Sequence, residues 1–168
     1  MPAVATAVFA GAVAIRLFAS PVSDTIAPDE IARRTEALRF EQPLRLSPVA
    51  VTADAINAVA LPPDQRTALE ASLADKRIRL AWLALFDSDA VDGDRVAVES
   101  LGLTHRLTLG REPVAIPVAV PADGVIRLTG LDQGLGGGVT IGVMSGGQPI
   151  KLPPLAVGQT LSLRVMAP

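Results

Sequence analysis

The sequence contains no cysteine and no tyrosine, and aromatic residues make up only 3% of its 168 positions. Without cysteine the chain cannot form disulfides, bind a metal through thiolates or use a cysteine nucleophile. His105 is the single histidine, which also excludes sites built from several histidines. Basic and acidic residues number 15 and 17, so the chain lacks the positive excess that nucleic-acid binding requires. We therefore expect a protein that is not an enzyme and has no nucleic-acid partner.

Charge is also scarce at the N-terminus, where Arg16 is the one charged side chain in residues 1–23. A helix over residues 1–22 would be about 33 Å long, enough to cross a hydrocarbon core of ~30 Å. We favour a single transmembrane anchor in a bacterial inner membrane. A cleaved signal-like segment and a buried helix of a soluble fold are the alternatives.

Residues 23–76 are rich in alanine, proline and charge, and they predict helices over 28–39 and 63–75. Pro28 suits the first turn of a helix, and the acidic residues that follow it complement the helix dipole. Arg33 and Arg34 are expected to be solvated. The whole zone is interpreted as a helical and extended tether between the anchor and the C-terminal domain.

From residue 77 onward the hydrophobic pattern has a period of two, which is typical of strands. About eight short strands are expected, separated by Gly, Pro and Asp turns, at 78–86, 96–99, 103–109, 114–120, 125–128, 139–143, 149–152 and 161–165. This spacing predicts a mainly β fold, an antiparallel β-sandwich over residues 77–168. Pro117 indicates an edge strand, Trp82 is expected to anchor the core, and His105 to be partly buried.

An acidic loop follows the first of these strands and is the candidate metal site. Asp87, Asp89, Asp92 and Asp94 place four carboxylates within eight residues, a density that suits Ca²⁺. The EF-hand pattern is missed by one residue, because Asp92 comes one position late. We favour a simple hairpin turn in which Gly93 adopts a positive φ, with Ca²⁺ binding by these four residues as the alternative. No other cofactor is predicted.

Glycine is concentrated in residues 130–147, which hold eight of the 14 glycines. A phosphate-binding loop would need a following helix and a nearby lysine, whereas strand residues follow here and the next lysine is Lys151. A flexible hairpin or a close-packing surface is the better interpretation.

The segments Trp82–Asp87 and Asp92–Val96 combine an apolar strand, an acidic turn ending in D-G-D and a valine-rich strand. They resemble a β-sandwich domain of uncharacterised secreted or periplasmic bacterial proteins, and this resemblance covers about residues 78–166. It implies the fold and an extracytoplasmic setting, so we expect the C-terminal domain on the periplasmic side of the membrane. Arg33 and Arg34, taken alone, would favour a cytoplasmic C-terminus.

We expect an accessory, scaffolding subunit that braces a larger membrane complex, of respiratory or photosynthetic type, through contacts with its other subunits. A free periplasmic or secreted module that binds Ca²⁺ or glycan is the alternative. A hydrolase that uses paired carboxylates such as Asp87 and Asp92 is a third option, which the scarcity of aromatic residues for stacking a substrate disfavours.

Overall fold

The computed structural model describes residues 26–40, 43–51, 53–58 and 63–167. The first part holds α1 (Pro28–Phe40), β1 (Leu44–Arg45), β2 (Ser47–Pro48), α2 (Ala53–Ala58) and α3 (Pro63–Ala74). Eight strands follow, namely β3 (Arg79–Asp87), β4 (Arg95–Ser100), β5 (Leu103–Thr108), β6 (Val114–Val120), β7 (Val125–Asp132), β8 (Ile141–Ser145), β9 (Gln148–Lys151) and β10 (Thr160–Met166). The helices expected at 28–39 and 63–75 and the mainly β character are confirmed.

The strands form two sheets that enclose one hydrophobic core. The first sheet has the order β1-β10-β7-β4-β5, and the second has the order β2-β3-β8-β9, with β6 also paired to β3. All pairs are antiparallel except β1 with β10. The core joins side chains of both sheets, among them Val96, Ile126 and Leu163 from the first and Leu83, Val118 and Ile141 from the second.

Residues 44–48, which lie in the expected tether, take part in both sheets. Leu44 pairs with Val165 of β10, while Ser47 pairs with Trp82 of β3. Leu44 and Leu46 are buried in the main core because alternate positions of this extended segment face inward. The predicted boundaries at residues 22 and 76 stay predictions, and the predicted anchor, residues 1–22, lies outside the described residues. No helix in the described part of the chain combines the length and apolarity needed to span a bilayer.

Strand β3 is apolar on both faces because each face is covered by different elements. Leu83 and its neighbours at odd positions enter the main core, while Leu80 packs in a second cluster with Ala55 of α2 and Leu69 of α3. Trp82 lies on this second, outer face and is 38% exposed. The prediction that Trp82 anchors the core is therefore wrong, because the inward face of β3 is the odd-numbered one.

Candidate metal site

The acidic loop connects β3 to β4, and the sheets fix both of its ends. Asp87 is the last residue of β3, and its N–H donates to the carbonyl of Gly110 at 2.8 Å. Asp94 directly precedes β4, and its carbonyl accepts the N–H of Leu109 at 2.8 Å. Because β3 pairs with β8, with Asp87 opposite Ile141, Thr140 comes to lie beside Asp87. The end of β3 and the starts of β4 and β8 therefore position Asp87, Asp94 and Thr140.

Three of the four aspartates predicted from the sequence converge. Asp87, Asp92 and Asp94 each contribute a carboxylate oxygen to a group in which these oxygens all lie within 4.8 Å of one another. The Thr140 hydroxyl lies between two of them, 2.8 Å from Asp87 Oδ1 and 3.0 Å from Asp94 Oδ2. Since a hydroxyl has one proton, it can donate to only one of these carboxylates at a time.

The glycine-rich segment closes over Asp92. The N–H of Leu135 donates to Asp92 Oδ2 at 2.8 Å. Gly134 has a φ of +55°, and a Cβ on it would lie 2.7 Å from the carbonyl oxygen of Asp92 and would also collide with its carboxylate. Only glycine allows this approach of two backbones. The close-packing interpretation of the glycine cluster therefore holds at Gly134.

The electrostatics of the cluster disfavour three simultaneous charges. Asp94 is fully buried, and its Oδ1 accepts no hydrogen bond from any residue of the described chain. Burial raises the pKa of Asp94 to about 7, with the charges of Asp92 and Asp87 adding to this rise and hydrogen bonds from Thr140 opposing it. Asp92 Oδ1 is likewise buried and accepts no hydrogen bond from described residues. Near neutral pH the site is thus suited to holding a proton or a cation.

Asp89, the fourth predicted ligand, has a different environment. Its carboxylate accepts two hydrogen bonds from Arg34 of α1, at 3.0 and 3.2 Å, and one from Lys151 of β9 at 3.2 Å. It also accepts a hydrogen bond from the Ser88 hydroxyl at 2.9 Å. Burial alone would raise the pKa of Asp89, but the hydrogen bonds from these three side chains outweigh it and lower the pKa. The structure therefore brings together Asp87, Asp92 and Asp94 and directs Asp89 toward a basic pair.

Two residues that support this site, Arg34 and Thr140, were not predicted from the sequence. Arg34 was expected to be solvated, yet its side chain is only 6% exposed, so that expectation is wrong. Thr140 offered no local signal, because its role depends on the pairing of β3 with β8. His105 is half-buried on β5, where burial lowers its pKa, and it does not belong to the carboxylate cluster found among the described residues.

No protein-family model matches the chain, and searches of the curated proteins and of the solved structures return no match. The resemblance to bacterial β-sandwich domains stays an expectation that rests on Trp82–Asp87 and Asp92–Val96. The function has to be inferred from the arrangement of the chain's own side chains.

Proposed function

We propose that this protein is a non-catalytic β-sandwich module that binds a divalent cation, Ca²⁺, through Asp87, Asp92 and Asp94. The observation that carries the proposal is the buried Oδ1 of Asp94, which lacks a hydrogen-bond donor among the described residues and belongs to a carboxylate surrounded by two others. A buried carboxylate needs a compensating charge or donor, and a bound cation supplies both the charge and the coordination.

The donor set favours Ca²⁺ over other metals. All three ligands are carboxylates, which are hard oxygen donors, and neither histidine nor thiolate belongs to the group. Ca²⁺ accepts six to eight oxygens in flexible geometry, and the carboxylates with the Thr140 hydroxyl supply a large part of that set. Mg²⁺ demands a near-ideal octahedron and usually keeps several waters, which suits a cluster in which Asp87 and Asp94 are buried and Asp92 is half-buried less well.

The cellular setting belongs to the same proposal. The resemblance implies a periplasmic location, and extracellular Ca²⁺ modules typically have a Kd of about 10⁻⁴ to 10⁻³ M, so we expect a Kd in that range. Membrane anchorage through residues 1–22 and a place among the subunits of a larger complex are supported by the apolar N-terminal sequence alone. They stay predictions.

The test measures thermal unfolding of the full-length protein in mild detergent, first with EDTA and then with 1 mM CaCl₂ or MgCl₂. With a Kd of ~0.1 mM, Ca²⁺ should add about 1.4 kcal/mol to the free energy of unfolding and raise the Tm, because it binds the native state alone. Asp94→Asn should abolish this response. Asp75→Asn is the matched control, since Asp75 lies in an exposed ion pair with Arg77.

Two outcomes would contradict the proposal. One is a wild-type Tm that does not change with Ca²⁺ in the millimolar range. The other is a Ca²⁺ response of the same size in Asp94→Asn as in the wild-type protein.

A further inference from the structure

Arg34 is a buried cation that α1 delivers to the acidic loop. Its guanidinium forms two parallel hydrogen bonds with Asp89 and a further one with Glu30 on the preceding turn of α1, at 2.7 Å. Its NH1 also lies 3.5 Å from the carbonyl of Leu152. A two-pronged Arg–carboxylate contact fixes direction as well as distance. Arg34 thus holds the loop between β3 and β4 against α1, although Arg34 lies 55 positions before Asp89 in the sequence.

The same loop segment connects the Arg34–Asp89 contact to the cluster of Asp87, Asp92 and Asp94. The N–H of Asp89 donates to Oδ1 of Asp87 at 3.1 Å, so the backbone of one residue is tied to the carboxylate of the other. The Thr140 hydroxyl lies within hydrogen-bond distance of both Asp87 Oδ1 and Asp94 Oδ2. The orientation of Asp87 in the cluster therefore depends on where Asp89 is held.

We propose that Arg34 is a positioning residue for the cation site. By holding the side chain of Asp89 toward α1, Arg34 keeps Asp87 aligned with Asp92 and Asp94 and leaves a three-carboxylate site for Ca²⁺. This inference rests on the proposed function and extends it with a determinant of affinity that lies outside the ligand set. Binding is reciprocal, so Ca²⁺ also strengthens the docking of α1 onto the acidic loop.

The first experiment measures the Ca²⁺ Kd by isothermal titration calorimetry on the full-length protein and its variants. Arg34→Gln removes both guanidinium hydrogen bonds to Asp89 and should weaken Ca²⁺ binding about 10-fold, within the usual range of coupling between sites. Arg34→Lys keeps a positive charge near Asp89 but loses the fork, and should weaken binding about 3-fold. Arg33→Gln is the matched control, because Arg33 is a neighbouring, exposed residue that contacts Glu30 and not the loop.

The second experiment measures hydrogen exchange of the α1 amides, residues 28–40, with and without Ca²⁺. In the wild-type protein Ca²⁺ should slow exchange in α1, and in Asp94→Asn it should have no effect. This measurement separates positioning from a purely structural role. A structural role would lower the Tm of Arg34→Gln equally with and without Ca²⁺ and leave the Kd unchanged.

The outcomes distinguish this inference from the proposed function. If the wild-type protein binds no Ca²⁺, both fail. If the wild-type protein binds Ca²⁺ and Arg34→Gln binds it equally well or more tightly, the cation site stands and the positioning role of Arg34 is overturned. Should Arg34→Gln not fold, the Kd of Arg34→Lys decides in the same way.

Discussion

Asp89 and Asp94 belong to the same short loop, yet the fold gives their carboxylates opposite surroundings. Asp89 faces two cationic side chains, and its pKa is lowered. Asp94 faces two further aspartates, and its pKa is raised to about 7 mainly by burial. For Asp89 the protein supplies the compensating charge from α1 and β9. For Asp94 the described residues supply only the hydrogen bonds of Thr140, so compensation has to come from a proton or a bound cation.

A high density of acidic residues in a loop does not by itself identify metal ligands. Internal cations divide the four aspartates into one that is neutralised and three that are not. The charge that remains uncompensated after folding, rather than the spacing in the sequence, selects the candidate ligands.

The change in stability should be greatest, and opposite in sign, when Asp89 and Asp94 are each replaced by asparagine. Asp89→Asn leaves the buried Arg34 with Glu30 as its one described carboxylate partner, and we expect a loss of about 3 kcal/mol in stability. Asp94→Asn removes a buried charge from a repulsive cluster, and we expect a gain of about 1 kcal/mol in EDTA at pH 7. Urea unfolding of the two variants measures both values. A loss of stability in Asp94→Asn would contradict the view that its charge is uncompensated.

The second prediction concerns pH in metal-free protein. The pKa of Asp94 is about 7 in the folded protein and near 4 in the unfolded chain. Protonation of Asp94 therefore adds to the free energy of unfolding, fully below about pH 4, and this stabilisation is lost as the pH rises through 7. Between pH 5 and pH 7 this loss amounts to about 2 kcal/mol. The lowered pKa of Asp89 has the opposite effect. The ionised Asp89 stabilises the folded protein, and this stabilisation is lost as the pH falls below the pKa that Asp89 has in the unfolded chain.

The measurement compares the pH dependence of unfolding of the wild-type protein with that of Asp94→Asn, both in EDTA. His105 also titrates in this window, with its pKa lowered by burial, but its contribution is common to both proteins and cancels in the difference. Identical pH profiles for the two proteins would show that Asp94 is ionised with the same ease in the folded and unfolded states.

Much of the β architecture follows from sequence because alternation of apolar and polar residues is a local consequence of burying one face. The strands between residues 79 and 166 were predicted for this reason. The alternation does not predict on which side of β3 Trp82 lies. Both faces of β3 are apolar, so the pattern does not show which face packs against the other sheet. The inward positions carry Ala81, Leu83 and Leu85, and the larger aromatic side chain lies outside.

The candidate site was predictable only where its residues are neighbours in sequence. Asp87, Asp92 and Asp94 were singled out by their density, and Asp89 was included for the same reason. Arg34 contacts Asp89 from 55 positions away through helix docking. Thr140 contacts Asp87 from 53 positions away and Asp94 from 46, through strand pairing. No local pattern encodes such contacts, so the division of the four aspartates required the structure.

An effect of similar size is expected where the glycine-rich segment contacts Asp92. Gly134→Ala adds a Cβ that collides with Asp92 at a position with positive φ, and we expect a loss of about 2 kcal/mol together with weaker Ca²⁺ binding. Gly147→Ala is the control, because its φ is +82° but nothing lies within 4 Å of the added Cβ. That variant should lose about 1 kcal/mol and bind Ca²⁺ normally. Equal losses in both variants would argue against a close contact between Gly134 and Asp92.

The smallest effect separates the two cations that hold Asp89. Lys151 contacts Asp89 Oδ1 at 3.2 Å, but its side chain is 51% exposed, whereas that of Arg34 is 6% exposed. Exposed pairs are screened by solvent and cost side-chain entropy, so Lys151→Gln should lower stability by only about 0.5 kcal/mol and leave the Ca²⁺ Kd unchanged. Raising the salt concentration should reduce this difference further, while the effect of Arg34→Gln should persist, because buried pairs are screened much less. If Lys151→Gln instead matched Arg34→Gln in urea unfolding and in Ca²⁺ affinity, then the charge near Asp89, and not the buried fork of Arg34, would be what holds the loop.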